Sequence, residues 1–243
     1  MAGLSTAEKE GRPPSIFKAD IESLRARLSQ STTKDVHELY SLIFNGSMPR
    51  PFAKELDRSQ FYMHYINTCL ERDIQQLTNV GKLNEFSTFL AFCAARTAQE
   101  VNYGDILTTP TVRAWISILQ RSGVITLLAP YYNTTSNRLI KRPKLYFMDT
   151  GLAAYLTRWQ SAETLEAGAM DGAFLETYVV TEIMKSYAHG GRQPNLSYYR
   201  EIDKNFDSLT RFGLEVQNGL IMCLCDELIP ANRSNWYCPI SLV

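Results

Sequence analysis

The spacing of apolar residues predicts that the first half of the chain is mostly helical. Apolar side chains recur there every three or four residues, which is the pattern of helices with one buried face. Ser31 or Thr32 is the expected N-cap of the second helix, because short hydroxyl side chains accept hydrogen bonds from the first turn. The five predicted helices span residues 20–28, 33–44, 59–77, 84–98 and 109–123.

The fifth of these helices has the clearest boundaries in the sequence. Thr109 suits its N-cap, Pro110 its first turn and Gly123 its C-terminal end. Its apolar residues form one stripe, so Arg113 and Arg121 are expected on the outward face.

A β-hairpin is predicted directly after this helix. The run VITLLAPYY is the first strand, NTTSN is the turn and RLIKRPKLYFM is the return strand. Asp149 then caps a short helix with the sequence TGLAAYL. The return strand carries four basic residues within seven positions, namely Arg138, Lys141, Arg142 and Lys144.

Helices followed by a hairpin with a basic tip have the order of a winged helix. In that fold the helix before the hairpin enters the major groove, and the hairpin contacts phosphates. Winged helices also serve as protein-docking modules and as spacers between domains. Only residues 99–108, which contain VNYGDIL, separate the fourth helix from the fifth, so the middle helix is expected to be short. The expected nucleic-acid-binding residues are Arg113, Arg121, Arg138, Lys141, Arg142 and Lys144.

The C-terminal third has a mixed α/β pattern that begins with a long helix, AMDGAFLETYVVTEIMKSYAHGG. This helix is apolar around most of its circumference, which indicates packing on more than one side. Glu176 and Glu182 each share a side with apolar residues, where a carboxylate is costly unless it is paired or used; an edge position that reaches water is the alternative. The further predicted elements are a strand at 196–200, a helix at 206–212 and strands at 219–225 and 236–243, the last confined by Pro239 to a sheet edge or to its own start.

Composition and charge place few limits on the function. Hydrophobic residues make up 45% and charged residues 21% of 243 residues, and Lys+Arg and Asp+Glu are balanced at 25 each. Bulk charge therefore predicts neither a nucleic acid nor a membrane as partner, and a basic surface must be local. No apolar run has the roughly 18 residues of a membrane span, and the N-terminus has no apolar signal core. We expect a cytoplasmic chain without a membrane partner.

The five cysteines are irregularly spaced, and reduced thiols are expected. Cys223 and Cys225 share one face of a predicted strand, with Cys238 as a possible neighbour. A fourth ligand and the usual Cys-x-x-Cys spacing of a zinc site are both missing, so no metal site is expected.

Three stretches together resemble one protein family: TCLERDIQQL, RPKLYFMDTGLAAYL and GAFLETYVVTEIMKSY. They are similar to the C-terminal half of bacterial and archaeal AAA-type ATPases that carry a domain of unknown function with a restriction-endonuclease-like fold. The resemblance implies an α+β fold in three parts. These are a helical lid-like segment in residues 1–57, a winged-helix segment in residues 58–148 and a truncated restriction-endonuclease-like α/β domain in residues 149–243.

The resemblance also sets expectations for cofactors and catalysis. Full-length relatives imply ATP and Mg²⁺, but this chain has no G-x-x-x-x-G-K-[ST] run, so we expect no cofactor in it. Nuclease-like folds of this kind use a helix glutamate, an acidic strand residue and a Glu-x-Lys pair to hold a metal ion and position water. Glu176 matches the helix glutamate, but EIDKN passes directly into the next predicted helix and no Glu-x-Lys follows. Glu176 is thus a candidate remnant of a catalytic set that is otherwise missing.

These observations predict a non-catalytic C-terminal portion of an AAA-type ATP-binding protein that docks on DNA or on a protein. Its protein partner would be its own ATPase domain or a second copy of the chain. The alternatives are a metal-dependent nuclease of the restriction-endonuclease-like class and a protein-interaction or self-association module.

Overall fold

The chain is described by a computed structural model over residues 3–53, 57–70, 83–101, 110–131, 142–198 and 219–243. The architecture is mixed α+β, as the sequence predicts. The helices in the described residues are α1 Thr6–Lys9, α2 Ile21–Leu28, α3 Val36–Asn45, α4 Pro49–Ala53, α5 Arg58–Tyr65, α6 Leu83–Ala95, α7 Pro110–Arg121, α8 Thr150–Leu156, α9 Ala162–Glu166 and α10 Asp171–His189.

Two small sheets accompany these helices. The first has the strand order β1-β3-β2 and is antiparallel throughout. The second has the order β4-β6-β5, in which β4 and β6 are parallel and β6 and β5 are antiparallel. The strands are β1 Gln99–Glu100, β2 Ile125–Leu128, β3 Lys144–Phe147, β4 Gly219–Cys223, β5 Ile229–Pro230 and β6 Asn235–Pro239.

The buried apolar residues of the described chain form one core cluster. Leu24 of α2, Leu119 of α7 and Phe174 of α10 all belong to it. The cluster therefore combines residues from each of the three predicted segments. The segment boundaries at residues 57 and 148 stay predictions.

Several predicted elements are confirmed with nearly their expected bounds. α2 begins after Asp20, whose carboxylate accepts a hydrogen bond from the Ser23 amide. α7 and α10 lie where their apolar stripes and terminal glycines predict them. The antiparallel pairing of β2 with β3 confirms the two strands of the predicted hairpin over residues 125–128 and 144–147, whereas residues 132–141, which include its predicted turn, lie outside the described residues. Asp149 caps α8 by accepting from the Leu152 amide. The predicted cap Thr109 lies outside the described residues.

The start of α3 differs from the prediction because a stronger capping pattern lies further along the chain. Asp35, rather than Ser31 or Thr32, is the N-cap. Its carboxylate accepts from the Glu38 amide at 2.8 Å, and the Glu38 carboxylate accepts from the Asp35 amide at 3.1 Å. This reciprocal capping box satisfies two amides at once, which a single hydroxyl cap does not.

The helix predicted at residues 59–77 changes from α-helical to π-helical geometry, and the helix predicted at residues 84–98 ends earlier than expected. α5 ends at Tyr65 and continues as a π-helical turn over Ile66–Leu70, while residues 71–82 lie outside the described chain. α6 ends at Ala95 because the following backbone pairs with β3. The Ala98 amide donates to the Leu145 carbonyl at 2.7 Å, which produces the unpredicted strand β1.

The C-terminal strands correct one prediction, and two other predictions lie partly or wholly outside the described residues. Of the strand expected at residues 196–200, the structure describes only an isolated parallel bridge between Tyr198 and Pro130. β6 is the central strand of its sheet rather than an edge, and Pro239 is tolerated because it is the last strand residue, after which a 3₁₀ turn begins. The helix predicted at 206–212 lies outside the described residues.

The cysteines also differ from the expectation of reduced thiols. Cys223 and Cys225 form a disulfide with Cα atoms 5.4 Å apart. The chain bends at Leu224, directly after β4, and this brings the second sulfur back to the first. Cys93 and Cys238 are buried and unpaired, and burial raises the pKa of the Cys93 thiol to about 12 and that of Cys238 to about 11.

Candidate functional site

The candidate site lies where strand β3 passes helix α10. Lys144 and Tyr146 are two residues apart in β3, so their side chains leave the same face of the strand. The Lys144 ammonium donates to Glu176 Oε1 at 2.7 Å, and the Tyr146 hydroxyl donates to the same oxygen at 2.6 Å. The structure thereby joins a predicted DNA-binding lysine and the predicted catalytic remnant in one ion pair.

Hydrogen bonds at the buried end of β3 hold it against α10. The hydroxyl groups of Thr97 and Thr177 share a hydrogen bond of 2.8 Å, and the Phe147 amide donates to Thr97 Oγ1 at 3.2 Å. Thr177 directly follows Glu176 in α10, so this contact fixes the position of the glutamate relative to the strand. Phe147 of β3 and Phe174 of α10 are both fully buried and belong to the same core cluster.

The environments of the three grouped side chains differ. Glu176 is 43% exposed and Lys144 23% exposed, whereas Tyr146 is buried. Burial, followed by the hydrogen bond to Glu176 and the charge of Glu176, raises the pKa of Tyr146 far above its ordinary value. Tyr146 therefore stays a neutral donor to the carboxylate throughout the physiological range. Glu176 is therefore an exposed carboxylate whose position is fixed by hydrogen bonds from Lys144 and Tyr146.

Among the residues that the structure describes, Glu176 belongs to no candidate cation site. One carboxylate oxygen already accepts two hydrogen bonds, one of them from an ammonium ion that would repel a metal at the same position. Over the described ranges, no group of three or more His, Cys, Asp or Glu side chains could hold a metal ion. We therefore derive no metal-dependent step at this residue.

Glu182, the second glutamate predicted on an apolar side of α10, forms an ion pair inside the protein. It accepts from Lys185 at 2.7 Å and from the Thr6 amide at 2.8 Å, and both charged side chains are 3% exposed. The Thr6 hydroxyl also shares a hydrogen bond of 2.7 Å with the Tyr178 hydroxyl. Of the alternatives that the sequence left for a carboxylate on an apolar side, pairing holds for Glu182, whereas Glu176 both lies at an exposed edge and is paired with Lys144.

The other predicted nucleic-acid-binding residues are distributed along the α7–hairpin unit. Arg113 and Arg121 are exposed at opposite ends of α7, as their positions outside the apolar stripe predict. Arg142 is exposed immediately before β3, while Lys144 is half-buried in its ion pair. Arg138 and Lys141 lie outside the described residues, so their placement stays a prediction.

Tyr146 and Tyr198 are the residues of this site that sequence reasoning did not single out. The signal for Tyr146 was its position two residues after Lys144 in a strand. Tyr198 comes from a distant segment, and its ring lies 5.8 Å from the Lys144 ammonium. No local pattern predicts that contact, because 54 residues separate the two positions along the chain.

Comparison with known proteins places the chain in a family. A profile described as "Domain of unknown function (DUF8612)" matches residues 36–163, which is more than half of the chain. The chain belongs to the DUF8612 family. The matched segment begins at the first residue of α3 and includes β1, β2, β3 and α7, whereas Glu176 lies beyond it.

Two curated relatives extend this similarity. The chain is 28% identical over 204 residues to uncharacterized proteins of Mycobacterium bovis and Mycobacterium tuberculosis. The alignment covers 76% of this chain but 44% of each relative, so the chain spans less than half the length of the curated relatives it matches. No solved structure matches the chain. Within the described residues, no helix combines the length and apolar character needed to cross a membrane.

Proposed function

We propose that the chain is a non-catalytic docking module that binds double-stranded DNA through a winged-helix unit made of α6, β1, α7 and the β2–β3 hairpin. The observation that carries this proposal is the order helix, strand, helix, hairpin together with the sheet order β1-β3-β2. In a winged helix the strand after the first helix pairs with the return strand of the hairpin in this way. Residues 102–109, where the middle helix is expected, lie outside the described chain.

The charge of the outward surface supports DNA as the partner. α7 presents Arg113 and Arg121, and Arg142 stands at the entrance to β3. Positive side chains on the helix and the hairpin are suited to phosphate contacts, which supply most of the affinity of such modules. Lys144 is a weaker contributor, because Glu176 offsets its charge at 2.7 Å.

We further propose that this module works as the C-terminal portion of an AAA-type ATP-binding protein, with the ATP and Mg²⁺ sites on other parts of that protein. The greater length of the mycobacterial relatives leaves room for such a part. The restriction-endonuclease-like assignment of residues 149–243 belongs to the same proposal.

The test is the salt dependence of DNA binding, measured by fluorescence anisotropy with a labelled duplex of about two helical turns. We expect the affinity for DNA to fall steeply between about 50 and 200 mM salt. A plot of log affinity against log salt concentration should have a slope of about −0.9 for each phosphate that the protein neutralises. Reversing Arg138, Lys141 and Arg142 to glutamate should flatten the slope by about 0.9 for each phosphate that the variant no longer neutralises. Lys144 is left unchanged, since a glutamate there would oppose Glu176 and disturb the fold.

A matched triple reversal controls for net charge. Lys18, Arg25 and Arg192 are exposed basic residues outside the α7–hairpin unit. Their replacement by glutamate should leave the slope close to that of the unmodified chain. Equal slopes for the two triple variants, or no binding at low salt, would overturn DNA docking.

Protein docking is the second candidate, and the C-terminal sheet favours it. Ile221, Tyr237 and Ile229 are direct neighbours across β4, β6 and β5, and all three are exposed. An exposed apolar row on one sheet face is typical of a protein contact. Sedimentation velocity tests self-association through it: a monomer at all concentrations counts against a second copy as the partner.

The nuclease alternative is tested by plasmid nicking in Mg²⁺ or Mn²⁺. The ion pair between Lys144 and Glu176 disfavours metal binding at this carboxylate, so we expect no nicking above a buffer control. Nicking that disappears in Glu176→Ala would establish the alternative and refute a non-catalytic role.

A further inference from the structure

A cavity of about 530 Å³ lies between the N-terminal half of the chain and the base of the hairpin. Its walls come from the turn between α3 and α4, from α5 and the π-helical turn after it, from the turn between α7 and β2, and from the end of β3. The volume is in the range of small-molecule sites. All lining residues except Gly3 fall inside the family-matched segment 36–163.

The inner part of the cavity is suited to an apolar body. Met48, Met148 and Leu152 line it together with the rings of Phe61 and Tyr65. These two rings are stacked, with centroids 6.3 Å apart and planes 17° from parallel. The methionine side chains in the same lining can adapt to ligands of different shape. The lining therefore favours a flat aromatic or short aliphatic group.

The one carboxylate among the described lining residues cannot recruit a cation or a hydrogen-bond donor from a ligand. Asp149 Oδ1 accepts from the Tyr62 hydroxyl at 2.7 Å and from the Leu152 amide at 2.6 Å. Oδ2 accepts from the amide and the hydroxyl of Ser47, at 2.6 and 2.9 Å. The four donors fill its acceptor positions and spread its charge.

The groups that remain for a polar ligand atom are donors at the mouth. Arg50 and His64 both line the cavity and are both exposed, and they come from two different elements, α4 and α5. Within the part of the chain that the structure describes, the Arg50 side chain makes no ion pair or hydrogen bond. A guanidinium donates in a fork that matches carboxylate, sulfonate and phosphate oxygens, and an imidazole adds a further donor.

We propose that this cavity binds a small amphipathic organic anion, with its apolar body against Phe61, Tyr65 and the two methionines and its anionic head on Arg50 and His64. The site is separate from the DNA-docking surface of the proposed function and does not depend on it. The anionic head contacts the hydrogen-bond donors at the mouth of the cavity. Inside the cavity, Asp149 offers no free acceptor to the ligand, because four protein donors already occupy its carboxylate.

The test compares two fluorescent probes of nearly equal shape. 1-Anilinonaphthalene-8-sulfonate carries the anionic head, and N-phenyl-1-naphthylamine lacks it. We expect the sulfonate to bind the full chain at one saturable site and more tightly than the uncharged probe. Arg50→Gln should weaken sulfonate binding about tenfold, because it removes one charge-assisted hydrogen bond, and should change binding of the uncharged probe much less.

Two further variants locate the probe and control for charge. Met148→Trp fills part of the cavity and should weaken both probes about tenfold. Arg25→Gln removes an exposed arginine on α2, away from the cavity, and should change neither affinity. Urea unfolding of each variant checks that it folds; if Met148→Trp does not fold, the contrast between Arg50→Gln and Arg25→Gln decides alone. Absence of saturable sulfonate binding, or equal effects of the two arginine variants, would overturn the proposal.

Discussion

Breaking the buried ion pair of α10 should destabilise the protein more than removing the pair altogether. Glu182 and Lys185 are 2.7 Å apart and each is 3% exposed. The second oxygen of Glu182 accepts from the Thr6 amide at 2.8 Å, so the same carboxylate also holds the N-terminal segment. The pair is therefore a connection between α10 and α1 as well as a charge pair.

The expected magnitudes follow from what each substitution leaves behind. Lys185→Met leaves a buried carboxylate without its cation and should cost about 3–5 kcal/mol. We expect the lower part of this range, because Lys9 is close by: burial, and then the charge of Lys185, lower the pKa of Lys9. Glu182→Met should cost about 3–5 kcal/mol for the stranded ammonium and a further 1–3 kcal/mol, roughly, for the unpaired Thr6 amide.

The double variant Glu182→Met/Lys185→Met removes both charges and leaves the Thr6 amide alone. It should cost about 1–3 kcal/mol, less than Glu182→Met by itself. The assay is urea unfolding followed by far-UV circular dichroism at pH 7, analysed as a double-mutant cycle. Lys34→Met, which removes one of the two cationic partners of the partly exposed Glu10, serves as control and should cost less than about 1 kcal/mol. Additive costs for the two single variants, or single costs as small as that of the control, would refute the reasoning.

Three other substitutions have defined expected outcomes. Glu176→Ala should cost about 1–3 kcal/mol in urea unfolding, because the buried Tyr146 hydroxyl loses its acceptor, and the loss should largely disappear against a Tyr146→Phe background. Asp149→Ala removes the cap of α8 and four hydrogen bonds and should cost at least about 3 kcal/mol, with Asp149→Asn milder; a cost below about 1 kcal/mol would contradict the role of this carboxylate. Cys93 should lower the free energy of unfolding in alkali, because burial raises the pKa of its thiol from 9.0 to about 12 in the folded chain. Between these two pH values the unfolded chain loses the thiol proton and the folded chain keeps it. Stability of the unmodified chain relative to Cys93→Ala should be constant below about pH 8 and fall by about 1.4 kcal/mol per pH unit from about pH 9 to near 12; parallel stability curves would contradict the burial of this thiol.

Elements with a local signal could be predicted from the sequence. α7 has a proline in its first turn, one apolar stripe and a glycine after its end, and the structure has the helix at those residues with Arg113 and Arg121 outward. The hairpin and the long helix α10 likewise carry their periodicity in consecutive residues. Such signals act over a few residues, so the neighbours of an element are not needed to recognise it.

The partners of each element were decided by tertiary structure. β1 exists because the chain after α6 pairs with β3, more than forty residues later, and β6 lies between two other strands although Pro239 suggested an edge. The sequence alone determined that Glu176 and Glu182 each needed either water or a partner. Only the packing decided which, because a hydrogen bond from Lys144, 32 residues away, or from Thr6, 176 residues away, depends on how distant segments meet and not on the residues next to the glutamate.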